Sequence, residues 1–167
     1  MRLTDELMTS SAAEDVFHIV RQVEKWPSHL PHYRYVRFRE RTGDGGGLVE
    51  MSANRRFGAL NWPTWWLSEM TVDNTRRAIR FSHVGGITTG MDVEWSFTPV
   101  PQGTLIRLVH VWDGPRWPLA GRFAAVHVIG PVFINAIAAR TMAGLANVSR
   151  TPPELQRTAT TRGFAQE

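Results

Sequence analysis

Apolar and polar residues alternate strictly along Met91-Asp92-Val93-Glu94-Trp95-Ser96-Phe97-Thr98. A period of two is typical of a β-strand with one face buried and the other in water. The buried face would carry the apolar members of this run, and the solvated face the four polar residues between them. The segment therefore predicts an amphipathic strand whose inner face carries methionine, valine and aromatic side chains.

The same pattern recurs, less cleanly, on both sides of this strand. Short links rich in Gly, Pro, Asp and Asn separate the repeats, and links this short join antiparallel neighbours. We predict a meander of six strands over Tyr35–Arg41, Leu48–Arg56, Trp62–Val72, Arg77–Val84, Thr88–Thr98 and Thr104–Trp112. A further strand at Arg2–Met8 would make seven.

Two helical regions frame the predicted sheet. The first follows Ser11 and Glu14, which are spaced like a capping box, and it ends at Trp26-Pro27. The second covers Leu119–Val148, with a bend at Gly130-Pro131. Its apolar stripe must lie against a large surface, which only the sheet provides. The stripe consists of Ile134, Ile137, Ala138, Thr141, Leu145 and Val148.

This order of elements predicts a single α+β domain over residues 1–148. A curved antiparallel sheet of six or seven strands would wrap around the long C-terminal helix. Such a sheet leaves space between its concave face and the helix, so we expect an internal cavity there. Residues 149–167 are rich in Thr, Arg, Pro and Gln and predict a disordered tail.

Composition and charge exclude several classes of protein. The 167 residues are 43% hydrophobic and 20% charged, which suffices for a buried core, and no cysteine is present for disulfides, thiolate metal sites or nucleophiles. The net charge is +4, but the arginines are scattered and match no nucleic-acid-binding motif. Polar residues and a proline interrupt the most apolar run, 119–139, and the N-terminus has no apolar signal segment. We expect a cytoplasmic protein that neither binds nucleic acid nor inserts stably into membranes.

Three candidate catalytic or binding residues lie on the predicted strands. His110 shares an apolar face with Leu108 and Trp112 and could act as an acid or base near neutral pH. His83 is a weaker case of the same kind. Arg55 shares a face with apolar residues and could hold an enolate or carboxylate. The structural alternatives are hydrogen-bonded core histidines and an arginine at a solvated strand end.

Other residues could contact a ligand without taking part in catalysis. The chain has seven tryptophans, which suit flat conjugated ligands and suit a plain core as well. Met91, Trp95 and Trp112 are candidate ligand contacts, and Asn135 could offer its amide from the C-terminal helix. His29 and His32 are spaced like metal ligands, but no third ligand lies nearby in the sequence. We therefore expect no metal and no cofactor.

Three groups of residues carry a resemblance to a known family. They are the run from Phe17 to Val23-Glu24-Lys25-Trp26-Pro27 and on to Leu30-Pro31-His32-Tyr33, the segment Trp65-Trp66-Leu67-Ser68-Glu69, and the strand Gly90–Trp95 together with Gly103-Thr104. The pattern resembles helix-grip (START/Bet v1-like, SRPBCC) proteins, and most closely their polyketide cyclase/aromatase branch. The resemblance covers residues 10–148 and implies the helix-grip fold.

The resemblance also implies a function and a site. In this branch a tunnel between sheet and helix receives a poly-β-ketone chain from an acyl carrier protein and directs its cyclisation, dehydration and aromatisation. Tyr33 matches a tunnel tyrosine, Ser68 matches a serine of the Trp-rich strand, and the face that carries Trp66 would line the tunnel. Where the branch has an arginine two residues after that serine, this chain has Met70.

Two functions from different classes follow. In the first, the protein is a cyclase in which Tyr33 donates a proton to a ketone and His110 takes one from a methylene group, while the cavity fixes the fold of the chain. In the second, it is a non-catalytic carrier or sensor of a hydrophobic small molecule or lipid, which the missing arginine favours. A mildly basic surface would suit an acidic acyl carrier protein as the partner.

Overall fold

A computed structural model of the protein describes residues 1–57, 60–114 and 135–150, without the side chains of 55–57, 60–62, 135–139 and 150. In these parts of the chain, seven strands form one antiparallel sheet in the order β1-β7-β6-β5-β4-β3-β2. The strands are β1 (Arg2–Thr9), β2 (Tyr33–Arg41), β3 (Gly47–Phe57), β4 (Leu60–Asp73), β5 (Ala78–Gly86), β6 (Asp92–Val100) and β7 (Gly103–Val111). The predicted meander and the seventh strand at the N-terminus are both confirmed.

One predicted strand begins later than expected. Residues 88–91 are not part of β6, which starts at Asp92. They belong to the turn between β5 and β6, which follows Gly86 and contains Gly90, and the φ angles of these two glycines are 86° and 84°. Positive φ is easy for glycine and costly for other residues, so the two glycines allow the chain to reverse here. Thr88 of this turn is buried, and its hydroxyl is hydrogen-bonded to His83 Nδ1.

The helices are α1 (Ala13–Val20), a 3₁₀ turn (Val23–Lys25), α2 (Trp26–His29) and α3 (Asn135–Arg150). The predicted capping box is wrong, because Ala12 is the N-cap residue and no side chain caps α1. The Ser11 hydroxyl instead accepts hydrogen bonds from Thr9 and Ser149. Pro27 lies in the first turn of α2, where its missing N–H costs nothing, so it begins a helix instead of ending one.

Helix α3 supplies the C-terminal cover of the sheet. It runs to Arg150, beyond the predicted end at Val148, and contacts α1, α2 and β1. The predicted bend at Gly130-Pro131 and most of the predicted tail, 151–167, lie outside the described residues. Within the described segments, no helix is long and apolar enough to cross a membrane.

The core lies between the concave face of the sheet, α1 and α3. The predicted alternation is confirmed, since Val93, Trp95 and Phe97 of β6 are buried, as is Met91 just before the strand. Phe17 of α1 packs on Phe97 with ring centroids 5.8 Å apart.

Candidate functional site

A cavity of about 70 Å³ lies between the concave face of the sheet and helices α2 and α3. Apolar side chains dominate its wall, and a few polar groups converge on it. The described residues that line it are Trp26, Tyr33, Met51, Trp66, Phe81, His83, Thr88, Met91, Val93, Trp95, Leu108, His110 and Thr141.

Aromatic rings form a continuous layer around this cavity. Trp26 lies at the centre of the layer, with its ring centroid 5.4 Å from that of Tyr33, 6.1 Å from Trp95 and 6.3 Å from Phe81. The Trp26 indole Nε1 donates to the carbonyl oxygen of Val20 at 3.0 Å, which fixes the ring against the end of α1. Edge-to-face contacts of this kind stabilise such a layer beyond the area that they bury.

Tyr33 is the first residue of β2, and its side chain supplies a phenol to the site. Its side chain is buried, and burial raises its pKa to about 12 despite a hydrogen bond from Thr141 that lowers it. The Thr141 hydroxyl donates to the phenol oxygen at 3.4 Å. The Tyr33 hydroxyl therefore stays protonated at neutral pH, and its own proton remains available as a donor.

Two buried histidines lie on neighbouring walls of the cavity. Burial lowers the pKa of His110 to about 4, and its Nδ1 has no hydrogen-bond partner among the described residues. Burial and the charge of His110 lower the pKa of His83 to about 3, and His83 Nδ1 is hydrogen-bonded to the Thr88 hydroxyl. Both imidazoles are thus neutral at neutral pH, and His110 presents an unsatisfied ring nitrogen in an apolar environment.

A β-bulge positions His83. Along β4 and β5, Trp66 pairs with Gly86 and Ser68 pairs with His83, so β5 carries one extra residue at this point. A Cβ at Gly86 would lie only 2.3 Å from the carbonyl oxygen of Trp65, so only glycine fits there. The bulge leaves the indole of Trp66 nearly parallel to the His83 ring, with centroids 6.1 Å apart.

The structure brings together most of the residues expected at the site, but not all of them. Tyr33, His110, His83, Trp66, Met91 and Trp95 line one cavity. Ser68, Met70 and Trp112 are buried but are not among the described residues that line the cavity. The side chains of Arg55 and Asn135 lie outside the described part of the chain; the backbone places them on β3 opposite Trp62 and at the start of α3.

Several lining residues were not expected from the sequence. The apolar ones are Met51, Phe81, Val93, Leu108 and Trp26. Met51, Phe81 and Val93 each lie between two polar neighbours, whereas Leu108 lies between Arg107 and Val109. Alternation separates the inner face of a strand from the outer face, but it does not distinguish a cavity wall from packed core. Thr141 could have been predicted as a site residue, because it carries a hydroxyl on an otherwise apolar helical stripe. A buried hydroxyl needs a hydrogen-bond partner.

The spacing of His29 and His32 does not build a metal site in the described residues. No group of three or more His, Asp or Glu side chains lies together there. His32 Nε2 is instead 3.0 Å from the Thr141 hydroxyl.

The chain is similar to proteins named for polyketide cyclisation. The granaticin polyketide synthase bifunctional cyclase/dehydratase of Streptomyces virginiae is 29% identical over 101 residues. The match covers 60% of this chain but only 32% of that relative, so this chain spans about a third of the relative's length. A putative polyketide cyclase of Streptomyces halstedii is 26% identical over 112 residues, covering 63% of this chain and 94% of that one.

A solved structure shows the same fold. The Zhui aromatase/cyclase from Streptomyces sp. R1128 superposes with a TM-score of 0.71 at 14% identity, covering 89% of this chain and 93% of that one. The expected likeness to the polyketide cyclase/aromatase branch of the START/Bet v1-like superfamily is confirmed. The sequence profile of the family described as polyketide cyclase / dehydrase and lipid transport matches residues 10–129, most of the chain. This chain therefore belongs to the polyketide cyclase / dehydrase and lipid transport family.

Proposed function

We propose that the protein is a polyketide cyclase that binds a poly-β-ketone chain between sheet and helix and promotes aldol cyclisation with loss of water. The observation that carries the proposal is an aromatic-lined cavity on which the protonated phenol of Tyr33 and the neutral imidazole of His110 converge, the latter with a ring nitrogen that no described residue hydrogen-bonds. The family match and the names of the two Streptomyces relatives support it.

Tyr33 is the proton donor in this proposal. When an enolate carbon attacks a ketone, a carbon–carbon bond forms and the ketone oxygen gains negative charge. The Tyr33 hydroxyl donates its proton to that oxygen, which stabilises the transition state in which the charge develops. Burial favours this role, because the apolar surroundings strengthen the hydrogen bond to a charged oxygen.

His110 is the proton acceptor. A methylene group between two carbonyls is acidic for a C–H group, so a weak base can remove its proton. The lone pair of neutral His110 takes that proton as the C–H bond breaks, and the resulting imidazolium pairs with the enolate beside it. In the dehydration, the His110 imidazolium gives its proton to the new hydroxyl, which leaves as water as the C–O bond breaks. The imidazole, neutral again, takes the second proton of the methylene group as the carbon–carbon double bond forms, and it releases that proton to solvent.

The cavity must widen for the chain to enter. Ligand pockets for organic molecules commonly hold ~300–1,000 Å³, several times the present volume of about 70 Å³. Met51 and Met91 on the wall are flexible side chains that can change rotamer, and the ring layer can separate from α3. The proposal includes an acyl carrier protein as the donor of the chain and the cytoplasm as the place of action.

The test is the product profile of a reconstituted minimal polyketide synthase, a ketosynthase with its acyl carrier protein, with and without the protein. We expect added protein to raise the fraction of one cyclised aromatic product at the expense of spontaneously cyclised by-products. A profile that does not change at a saturating concentration would contradict catalysis. Retention of the spontaneous products by the protein, with an unchanged profile, would instead identify a carrier of hydrophobic molecules.

A further inference from the structure

A hydrogen-bonded chain leads from Tyr33 toward the protein surface. The Thr141 hydroxyl lies 3.4 Å from the Tyr33 phenol oxygen and 3.0 Å from His32 Nε2. Tyr33 and Thr141 are buried, whereas His32 is half-buried. The three side chains therefore connect the cavity wall to a group that solvent reaches. The 3.4 Å contact is long, as catalytic hydrogen bonds often are before substrate binds.

We propose that His32 and Thr141 are positioning residues that return a proton to Tyr33 after it has protonated the substrate. The proposal rests on the proposed function, in which Tyr33 is the donor. Without such a chain, a buried tyrosinate would have to wait for water to enter an apolar cavity.

The protons balance along this chain. A threonine hydroxyl carries one hydrogen and can accept another hydrogen bond. As the Tyr33 O–H bond breaks toward the substrate oxygen, Thr141 gives its hydrogen to the phenol oxygen and takes one from His32 Nε2. His32 takes a proton from water at Nδ1 as Nε2 releases one, so the imidazole ends neutral with its tautomer reversed. Tyr33 and Thr141 then hold the hydrogens that they held at the start, and the imidazole still carries one hydrogen, moved from Nε2 to Nδ1. The hydroxide left in solvent takes up the methylene proton that His110 releases, and exchange with water restores the starting tautomer of His32.

The packing of α3 holds the chain in register. A Cβ at Gly144 would lie 2.2 Å from Leu30 Cδ2, so the absence of a side chain lets α3 approach the segment that leads into β2. The His32 carbonyl accepts from the Asn54 backbone N–H at 2.7 Å, and the His32 ring lies 4.8 Å from that of Tyr33. The relay thus joins one helix and one strand at a fixed distance.

The surroundings of His32 keep its imidazole neutral, which suits proton transfer. Burial and, second, the positive charge of Arg140 lower its pKa, so the neutral imidazole is the main form at neutral pH. A neutral imidazole can donate from one nitrogen and accept at the other, which a relay requires.

The experiment compares His32→Ala with and without imidazole in the buffer, in the reconstituted synthase assay. We expect His32→Ala to lower the rate of cyclised product formation about tenfold or more, and imidazole to restore it in proportion to its concentration. His29→Ala is the matched control, because His29 lies three residues earlier, on α2, and is not a member of the Tyr33–Thr141–His32 chain; it should leave the rate unchanged. Loss without rescue, or an equal loss in His29→Ala, would overturn the relay.

A second pair of variants keeps the proposal testable if His32→Ala disturbs folding. Thr141→Val matches threonine in shape but removes the hydroxyl, whereas Thr141→Ser keeps it. We expect Thr141→Val to lose as much rate as His32→Ala and Thr141→Ser to retain it, with similar thermal midpoints. Equal rates for the two would overturn the relay.

The relay and the proposed function fail differently. If Tyr33→Phe lowers the rate but Thr141→Val does not, only the relay is wrong. If Tyr33→Phe itself has no effect, the assignment of Tyr33 as the donor is wrong. In the Tyr33→Phe background, a correct relay predicts no further loss from His32→Ala.

Discussion

Replacing Tyr33 with phenylalanine is expected to lower the rate of cyclised product formation by about 100-fold, the lower end of what a positioned general acid contributes. The ring contacts with Trp26 and Trp66 survive this change, because only the hydroxyl is lost. The variant should therefore fold and still bind the chain. The measurement is the initial rate of product formation. Binding of an aromatic ketone probe, 2-acetyl-1-naphthol, is measured on the same sample.

The matched control is Tyr35→Phe, since the chain contains only two tyrosines. The Tyr35 hydroxyl donates to Glu50 at 2.8 Å, away from the cavity. Tyr35→Phe should leave the rate within about twofold of wild type. If both variants behave alike, or if Tyr33→Phe keeps the full rate, the phenol of Tyr33 is not the proton donor.

Replacing Trp26 with alanine is expected to cost about 3–5 kcal/mol of the free energy of unfolding. Trp26 is 3% exposed and contacts the rings of Tyr33, Phe81 and Trp95, so its removal opens a large cavity. It also leaves the carbonyl of Val20 without the indole donor at the end of α1. Chemical denaturation followed by circular dichroism measures the loss.

Trp65→Ala is the control for this prediction. Trp65 is 51% exposed on the outer face of β4, and its removal should change the free energy of unfolding by less than about 1 kcal/mol. Trp26→Phe should fall between the two, because it keeps a ring but loses the hydrogen bond. Equal losses for Trp26→Ala and Trp65→Ala would mean that the ring layer around the cavity does not stabilise the fold.

The sheet could be predicted from the sequence, because the alternation of apolar and polar residues depends only on which face of a strand is buried. Residues 91–98 and the short turn-rich links sufficed for the antiparallel meander, and the apolar stripe on α3 sufficed for its position over the sheet. The start of α1 was misread, since the spacing of Ser11 and Glu14 fits a capping box whether or not the hydroxyl turns toward the helix. Ser11 instead meets Ser149, a partner 138 residues away that local spacing cannot reveal.

The site was readable only in part. The sequence identifies Tyr33, His83 and His110 as inward-facing groups, but it cannot distinguish the cavity wall from packed core. Ser68 and Met70 share the inner face of β4 with Trp66, yet only Trp66 borders the cavity. The bulge at Val84-Gly85-Gly86 shifts the register between β4 and β5, and this shift decides which side chains meet.

The central claim is that the space between sheet and α3 opens to admit an aromatic, ketone-bearing guest. Adjacent residues on β4 provide an internal comparison, because Trp66 is buried at the cavity and Trp65 is exposed on the opposite face. The measurement is a titration of ¹⁵N-labelled protein with 2-acetyl-1-naphthol, followed through the indole N–H signals, which Trp→Phe variants assign. We predict saturable shifts for Trp66, Trp95 and Trp26 and none for Trp65. Shifts confined to Trp65, or no shifts at the solubility limit of the probe, would contradict the claim.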